Sequence, residues 1–171
     1  MSDLRELYQE VILDHSKRPR NFRALEDASH RSEGFNPLCG DRATVFLRVA
    51  DGVVQDASFQ GSGCSISTSS ASMMTESVRG KSLAEVETLF ERFHEMVTGA
   101  PDQAGRGNPD LLGKLAVFSG VCEFPVRVKC ASLPWHTLNA ALHGQPAGVS
   151  TEESESSSGD AAGHARNGGN P

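Results

Sequence analysis

Three cysteines and one aspartate are the residues best suited to bind a metal ion or to act as nucleophiles. Cys39 and Asp41 flank Gly40, and a glycine lets the backbone turn sharply enough for both neighbours to face one site. Thiolates are soft ligands that select zinc, copper(I) or iron–sulfur clusters, whereas a carboxylate is harder and exchanges more readily. Together with Cys64 and Cys130, such a mixed donor set is typical of a site that must open.

The spacing of the cysteines does not by itself define that site. Cys39, Cys64, Cys122 and Cys130 lack the closely spaced pairs of structural zinc modules. The chain begins with charged residues and without the apolar segment of an export signal, and in a reducing compartment such cysteines favour metal binding or catalysis over disulfides. We therefore expect a cytoplasmic protein with reduced thiols.

The charge and hydropathy of the chain argue against two classes of partner. The 171 residues carry a formal net charge of -6 and no basic stripe, so DNA and RNA are not expected to bind. No stretch approaches the roughly 18 to 20 apolar residues that a membrane span requires. The balance of 37% hydrophobic and 22% charged residues is typical of one compact domain.

Turn and periodicity signals predict the main elements. Asp51-Gly52 lies between two β-rich segments, residues 43–50 and 53–59, and predicts an antiparallel hairpin. Apolar residues recur at three- and four-residue steps over residues 3–16 and 82–97, which predicts two amphipathic helices. These patterns indicate an α+β fold with a small antiparallel β-sheet packed against helices.

The candidate ligands fall at the ends of predicted elements. Cys39 lies in an irregular segment before the hairpin, and Cys64 opens a helix that Gly80 ends. Cys130 precedes the last helix, in which Pro134 is tolerated because it lies in the first turn. Each cysteine is thus expected where the chain changes direction.

The composition changes at residue 145. Residues 145–171 consist mainly of Ser, Glu, Gly, Ala and Asn, with too little apolar surface to offset the entropy lost on ordering. We therefore predict one domain over residues 1–144 and a disordered tail over residues 145–171.

Four ordered motifs resemble the IscU/SufU family of iron–sulfur cluster assembly proteins, whose domain is also called NifU N-terminal-like. They are PLCGD at 37–41, GSGCSIS at 61–67, VKCASL at 128–133, and an opening helix and loop that match at 7–8, 12–15 and 19–22. The resemblance covers about residues 3–143. It implies the same α+β fold, a metal site at one end, and a third strand within residues 28–35.

Within this family the chain is more similar to SufU than to IscU. The helix predicted over residues 82–97 resembles an insertion found in SufU proteins, and Lys129 stands where IscU proteins place a histidine. A lysine ammonium group has no lone pair to offer a metal. The resemblance therefore implies one zinc ion held by Cys39, Asp41, Cys64 and Cys130.

The resemblance also implies a choice of functions. SufU proteins are understood as zinc-dependent sulfurtransferases that accept persulfide sulfur from a SufS-type cysteine desulfurase and relay it to downstream SUF scaffold components. An older view makes them scaffolds on which a [2Fe–2S] or [4Fe–4S] cluster forms from iron on the same ligands. A purely structural zinc domain is the third reading, and Asp41 argues against it because structural sites usually close with cysteine or histidine.

Cys39 is the expected sulfur acceptor. It lies on a loop, whereas Cys64 and Cys130 are expected at helix N-termini, whose dipoles hold a thiolate in place. Arg127 and Lys129 are candidates to offset the negative charge of the site. They lie on one face if the segment before Cys130 is extended.

The remaining candidates have plainer interpretations. Cys122 lies in a loop after a short helix predicted over residues 111–118, and free cysteine more often packs than binds metal. We expect His15 to cap or pack at the end of its helix. His94 and His136 are expected at solvated helix positions.

Overall fold

The computed structural model describes residues 2–99, 112–144 and 149–150, and the side chains of residues 6–99 and 112–144. The elements follow the chain in this order: α1 (Ser2–Lys17), β1 (His30–Asn36), β2 (Asp41–Ala50), β3 (Val53–Ser62), α2 (Ser65–Val78), α3 (Leu83–Thr98), a 3₁₀ segment (Gly113–Glu123), α4 (Pro125–Leu142) and β4 (Val149–Ser150). The α+β class is therefore confirmed.

The sheet has the strand order β3-β2-β1-β4, in which the first three strands are antiparallel. Asp51 and Gly52 have φ angles of 56° and 71°, as a type I′ turn requires, so the predicted hairpin is confirmed. β1 is the third strand that the family resemblance implied. Val149 and Ser150 pair in parallel with Gly34 and Phe35 at its outer edge.

The helices cover the sheet on the side that carries the core. α2 and α4 pack on the strands, α1 packs on α2, and α3 packs on α4 and the 3₁₀ segment. Both amphipathic helices are confirmed, and the Ser82 hydroxyl caps α3 by accepting from the Glu85 N–H at 3.2 Å. Among the residues that the structure describes, no helix is both long enough and apolar enough to cross a membrane.

The inserted helix α3 is part of the core. Phe93 is fully buried and stacks on Trp135 of α4 with ring centroids 4.5 Å apart, and Phe118 of the 3₁₀ segment meets Phe93 edge-on at 5.8 Å. Trp135 also donates from Nε1 to Ser70 Oγ of α2 at 3.2 Å. Four elements therefore meet around one aromatic cluster, Phe93, Phe118 and Trp135.

The predicted start of the last helix was wrong. α4 begins at Pro125, so Cys130 and Pro134 both lie inside it. Proline is favoured in a first helical turn, and Pro125 provides that start. Pro134 lacks an N–H, so the carbonyl of Cys130, four residues earlier, does not receive its usual helical hydrogen bond.

The segment before α4 also differs from its prediction. A 3₁₀ segment, Gly113–Glu123, replaces the short helix predicted over 111–118 and the loop after it. Residue 111 and most of the predicted tail, 145–148 and 151–171, lie outside the described residues. Val149 and Ser150 of that tail form β4, and disorder of 145–148 and 151–171 stays a prediction.

Candidate metal centre

Cys39 and Asp41 lie on the tight connection between β1 and β2. Asn36 and Asp41 are paired across the two strands, and the Gly40 N–H donates to the Asn36 carbonyl at 2.8 Å. Gly40 has a φ of 70°, a left-handed conformation that glycine adopts without steric cost. Cys39 on this turn is exposed, whereas Asp41, the first residue of β2, is buried.

Cys64 is the N-cap of α2, as predicted. Its sulfur accepts a hydrogen bond from the Ser67 N–H at 3.4 Å, and its own N–H donates to Asp41 Oδ1 at 2.9 Å. The second carboxylate oxygen, Asp41 Oδ2, lies 3.7 Å from Cys64 Sγ. A Cβ on Gly63 would lie 2.6 Å from Asp41 Oδ1, so the glycine leaves the room that this carboxylate occupies.

Cys130 reaches the same place from α4. Its sulfur lies 3.5 Å from Cys39 Sγ, although the two residues are 91 positions apart in the sequence. Cys39, Asp41 and Cys130 form a group whose ligand atoms all lie within 4.8 Å of one another. Cys64 is not in that tightest group, but its sulfur contacts the Asp41 carboxylate. The structure therefore brings Cys39, Asp41 and Cys130 together and places Cys64 beside Asp41.

The interaction between the Cys64 and Cys130 thiols shifts their pKa values in opposite directions. The bond from the Cys130 thiol, supported by the Ser67 N–H, lowers the pKa of Cys64 to about 7 despite partial burial. The same bond, with burial and the contact with Cys39, raises the pKa of Cys130. Cys64 is therefore the first of this pair to ionise, and a bound cation would displace the proton of Cys130.

The donor set fits a zinc ion. Three cysteine sulfurs and one carboxylate oxygen are ligands that zinc takes in four-coordinate sites. Asp41 is only 1% exposed, and a divalent cation between its carboxylate and the neighbouring thiol sulfurs would stabilise the buried carboxylate. The sulfurs also suit iron–sulfur clusters, so the donors alone do not select between the two occupants.

Cys122 lies apart from this group, on the 3₁₀ segment. Its half-buried thiol donates to the Ser119 carbonyl at 3.3 Å, and burial raises the pKa of that thiol. His15 is likewise a packing residue, because its Nδ1 lies 2.8 Å from Ser72 Oγ and joins α1 to α2. Both residues behave as the sequence predicted.

The segment before Cys130 is helical, so the condition under which Arg127 and Lys129 would share a face is not met. Both residues lie on α4, where positions two apart point to different sides of the helix. The Arg127 guanidinium lies over the Phe124 ring, 4.6 Å from its centroid. A role for either residue in offsetting the charge of the site stays a prediction.

The two histidines expected to be solvated are packed instead. His94 of α3 and His136 of α4 have ring centroids 5.5 Å apart, and both rings contact Phe90. Burial, with a smaller contribution from His94, lowers the pKa of His136 to about 4. This pair belongs to the contact between α3 and α4.

Asn36 is a residue at this centre that the sequence analysis missed. Its Oδ1 accepts from the Leu38 N–H at 3.2 Å, and its Nδ2 donates to Cys130 Sγ at 3.8 Å. The available signal was the dipeptide Asn36-Pro37 directly before Cys39, because Asn-Pro initiates turns. That signal predicts a turn but not a contact with Cys130.

Comparison with known proteins identifies relatives over most of the chain. A family model described as the NifU-like N terminal domain matches residues 7–131. The zinc-dependent sulfurtransferase SufU of Bacillus subtilis (strain 168) is 38% identical over 141 residues, which cover 82% of this chain and 92% of that protein. The iron–sulfur cluster assembly scaffold protein IscU of Streptococcus pyogenes serotype M1 is 39% identical over 142 residues, which cover 83% and 86%.

Solved structures agree with this relationship. The crystal structure of a putative iron–sulfur cluster assembly scaffold protein for the SUF system, FiSufU from Fervidobacterium islandicum AW-1, superposes with a TM-score of 0.72 at 34% identity. The match covers 78% of this chain and 94% of that one. The chain therefore belongs to the family of NifU-like N-terminal domains.

Proposed function

We propose that this protein is a zinc-dependent sulfur acceptor in iron–sulfur cluster assembly. It would take persulfide sulfur from a SufS-type cysteine desulfurase and relay it to downstream SUF scaffold components. The observation that carries the proposal is the contrast between two neighbouring thiols: Cys39 is exposed, whereas Cys130, only 3.5 Å from it, is buried. Cys64 is also exposed, but its sulfur accepts a hydrogen bond from the Ser67 N–H at the start of α2, so Cys39 is the exposed thiol that lies on a turn.

Cys39 is the acceptor in this proposal because its neighbours are held more firmly. Cys64 is fixed by the hydrogen bond that its sulfur accepts at the start of α2. Cys130 is fixed by burial inside α4, not by the helix N-terminus that the sequence predicted. Cys39 lies on a turn, so it is the donor that can leave a metal with the least rearrangement.

The transfer step is a thiol exchange without net oxidation or reduction. The Cys39 thiolate attacks the outer sulfur of a persulfide on the desulfurase, and a new S–S bond forms at Cys39 Sγ. The S–S bond in the donor breaks, and its electron pair leaves on the sulfur of the donor cysteine. The product is a persulfide on Cys39, with one sulfur atom gained.

The residues of the site prepare this step. Zinc, when bound, keeps cysteines ionised near neutral pH and so supplies a thiolate nucleophile. Cys39, Asp41, Cys64 and Cys130 would hold it. Asp41 is the hard donor among soft ones, and its hydrogen bond from the Cys64 N–H fixes its orientation.

A cluster scaffold is the second candidate, favoured by the similarity to the Streptococcus pyogenes scaffold protein. The same three cysteines and the aspartate would then hold iron and sulfide, and no persulfide would need to form on Cys39. Lys129 supports the first candidate, because it stands beside Cys130 where a histidine would add a nitrogen ligand.

Desulfurase turnover tests the proposal. The zinc-loaded protein is mixed with a SufS-type desulfurase, cysteine and a reductant, and alanine formation is followed. We expect wild type to increase turnover and Cys39→Ser to lose at least about 100-fold of that increase, because the nucleophile is absent. Cys122→Ser is the matched control and should behave as wild type, since this thiol lies outside the group.

Two results would contradict the proposal. Undiminished stimulation by Cys39→Ser would show that another group accepts the sulfur. Stoichiometric iron and acid-labile sulfide in the purified protein, without any increase in desulfurase turnover, would favour the scaffold.

A further inference from the structure

We propose that Asn36 is a positioning residue that holds the Cys39 turn against Cys130 and makes Cys130 the anchored thiol of the site. The inference rests on the proposed function, because it explains why Cys39 and not Cys130 would accept sulfur. It adds a residue outside the donor set, and it concerns a contact between the end of β1 and the middle of α4.

Two polar groups of Asn36 are engaged at the turn. Its carbonyl accepts from the Gly40 N–H at 2.8 Å, and its side-chain Oδ1 accepts from the Leu38 N–H at 3.2 Å. The two bonds hold the residues on either side of Cys39. The turn that carries the exposed thiol is therefore tied at both ends to one residue.

The orientation of the Asn36 amide follows from its neighbours. Asn36 is fully buried, and the Leu38 N–H requires an acceptor, so Oδ1 must face Leu38. That orientation leaves the amide NH₂ group toward Cys130 Sγ, at 3.8 Å. Reversing the amide would bring two donors together beside Leu38 and would leave a carbonyl oxygen facing the sulfur.

An N–H donor facing a sulfur changes what that sulfur does. It withdraws electron density from a metal-bound thiolate, so that sulfur is a weaker nucleophile while it remains a ligand. Cys130 has this donor and is only 3% exposed, whereas the Cys39 side chain is exposed. Asn36 thus gives two neighbouring thiols different roles.

Two substitutions separate the turn contact from the sulfur contact. In Asn36→Ser the shorter hydroxyl can still accept from the Leu38 N–H, as in Ser/Thr turns, but it cannot reach Cys130. In Asn36→Asp the acceptor for Leu38 is also retained, and a carboxylate oxygen now faces the sulfur. Asn139→Asp is the matched control, because it makes the same chemical change near the far end of α4.

Zinc affinity is the first measurement, made by competition with a chromophoric chelator. We expect Asn36→Ser to weaken zinc binding about 10-fold and Asn36→Asp about 100-fold, as is typical when a group that supports a metal ligand is lost. Asn139→Asp should match wild type. Thermal unfolding of the metal-free proteins shows whether each variant is folded, and Asn36→Ser, which adds no charge, carries the test if Asn36→Asp does not fold.

A cobalt spectrum supplies a readout that a general loss of stability would not change. With Co²⁺ in place of zinc, a thiolate that loses an N–H donor holds its electrons less tightly, so its charge-transfer absorption moves to longer wavelength. We expect this shift in Asn36→Ser and not in Asn139→Asp. Wild-type affinity together with a wild-type spectrum in folded Asn36→Ser would overturn the inference.

The position of the persulfide distinguishes this inference from the proposed function. After reaction with a desulfurase, we expect wild type to carry the added sulfur on Cys39 and Asn36→Ser to carry a part of it on Cys130. If wild type gains no sulfur, the proposed function fails, and the affinity and cobalt measurements still decide the role of Asn36. If wild type gains sulfur and Asn36→Ser gains it only on Cys39, Asn36 does not determine which of the two thiols accepts the sulfur.

Discussion

One helix, α4, contributes to two regions that are built in different ways. Cys130 joins the thiol group near the β1–β2 turn, and Trp135 joins the aromatic cluster under α3. Pro134 lies between them. The thiol group is positioned by a turn and a helix cap, whereas the aromatic cluster is positioned by burial of large side chains.

Because of this difference, we expect the aromatic cluster to determine stability and the thiol group to determine metal binding. Burial of Phe93 and Trp135 removes a large apolar surface from water, so the cluster carries much of the folding free energy. The geometry of the thiol group depends on the close approach of Asp41 to Gly63 and on the turn at Gly40. Substitutions in one region should therefore affect stability, and substitutions in the other should affect metal binding.

The largest expected effect is on the stability of the aromatic cluster. Phe93→Ala removes the ring stacked on Trp135 and leaves a cavity between α3, α4 and the 3₁₀ segment. We expect the free energy of unfolding to fall by about 3–5 kcal/mol, as measured by chemical denaturation. The zinc affinity of the protein that remains folded should not change.

Phe22→Ala is the control for this prediction. The Phe22 ring is 47% exposed and meets Phe59 edge-on at 5.2 Å, so its loss should cost less than about 1.5 kcal/mol. Equal costs for the two substitutions, or a loss of zinc affinity in folded Phe93→Ala, would break the separation between the regions.

The next effect concerns metal binding and leaves stability largely intact. Gly63→Ala places a Cβ 2.6 Å from Asp41 Oδ1, so the carboxylate must move away from the thiols. We expect zinc affinity to fall about 10- to 100-fold, comparable to the loss of a supporting group around a metal ligand. Competition with a chelator measures the affinity, and thermal unfolding of the metal-free protein measures the stability.

Gly120→Ala is the matched glycine control. A Cβ at Gly120 meets no atom within 4 Å, so this variant should bind zinc as wild type does. If Gly63→Ala also retained wild-type affinity, Asp41 would not be held where the structure places it.

The smallest effect is a pH dependence of stability that arises at the α3–α4 contact. Burial lowers the pKa of His136 in the folded protein to about 4, against an ordinary value of 6.5 in the unfolded chain. Above pH 6.5 the residue is neutral in both states and the full stability is present. As the pH falls from 6.5 toward 4, only the unfolded chain takes up the proton, so stability is lost.

Thermal and chemical unfolding at pH 7 and pH 5 measure this effect. We expect His136 to account for about 1–2 kcal/mol of the stability lost between these values. His136→Phe, which keeps a ring beside Phe90, should lose less stability on acidification than wild type. His30→Gln, at the start of β1, is the control. An identical pH dependence in His136→Phe and wild type would rule out this source.

Local signals in the sequence were enough to predict much of the fold. The hairpin follows from Asp51-Gly52, because this dipeptide favours the two positive φ angles of a type I′ turn, which matches the twist of paired strands. α1 and α3 follow from apolar periodicity, because α3 buries its apolar face and α1 packs Tyr8, Val11 and Ile12 against the core. Cys64 was also placed correctly, at a helix start after a glycine-rich segment.

α4 was harder to predict because it is buried on most sides. Every residue from Cys130 to Trp135 is buried, so no apolar stripe marks the helix in this part of the chain. Pro134 then indicated a helix start that in fact lies at Pro125. The packing of His94 against His136 was missed for a similar reason, because the contact forms only once α3 lies on α4.

The convergence of the candidate ligands was not predictable from spacing. Cys39 and Cys130 are brought together by the packing of α4 along β1, which no local pattern encodes. The resemblance to a known family implied a set of four residues, of which the structure groups Cys39, Asp41 and Cys130 most tightly. Asn36 was missed because its contact with Cys130 depends on the same packing.

The central claim is that Cys39 accepts a sulfur atom while the other donors stay in place. The most direct test mixes the zinc-bound protein with a SufS-type desulfurase and cysteine, and locates the added sulfur by mass spectrometry of alkylated peptides. The account predicts a gain of one sulfur atom on the peptide that contains Cys39 and none on the peptides of Cys64, Cys122 and Cys130. A persulfide on another cysteine, or no persulfide on a protein that gains iron and sulfide, would contradict it.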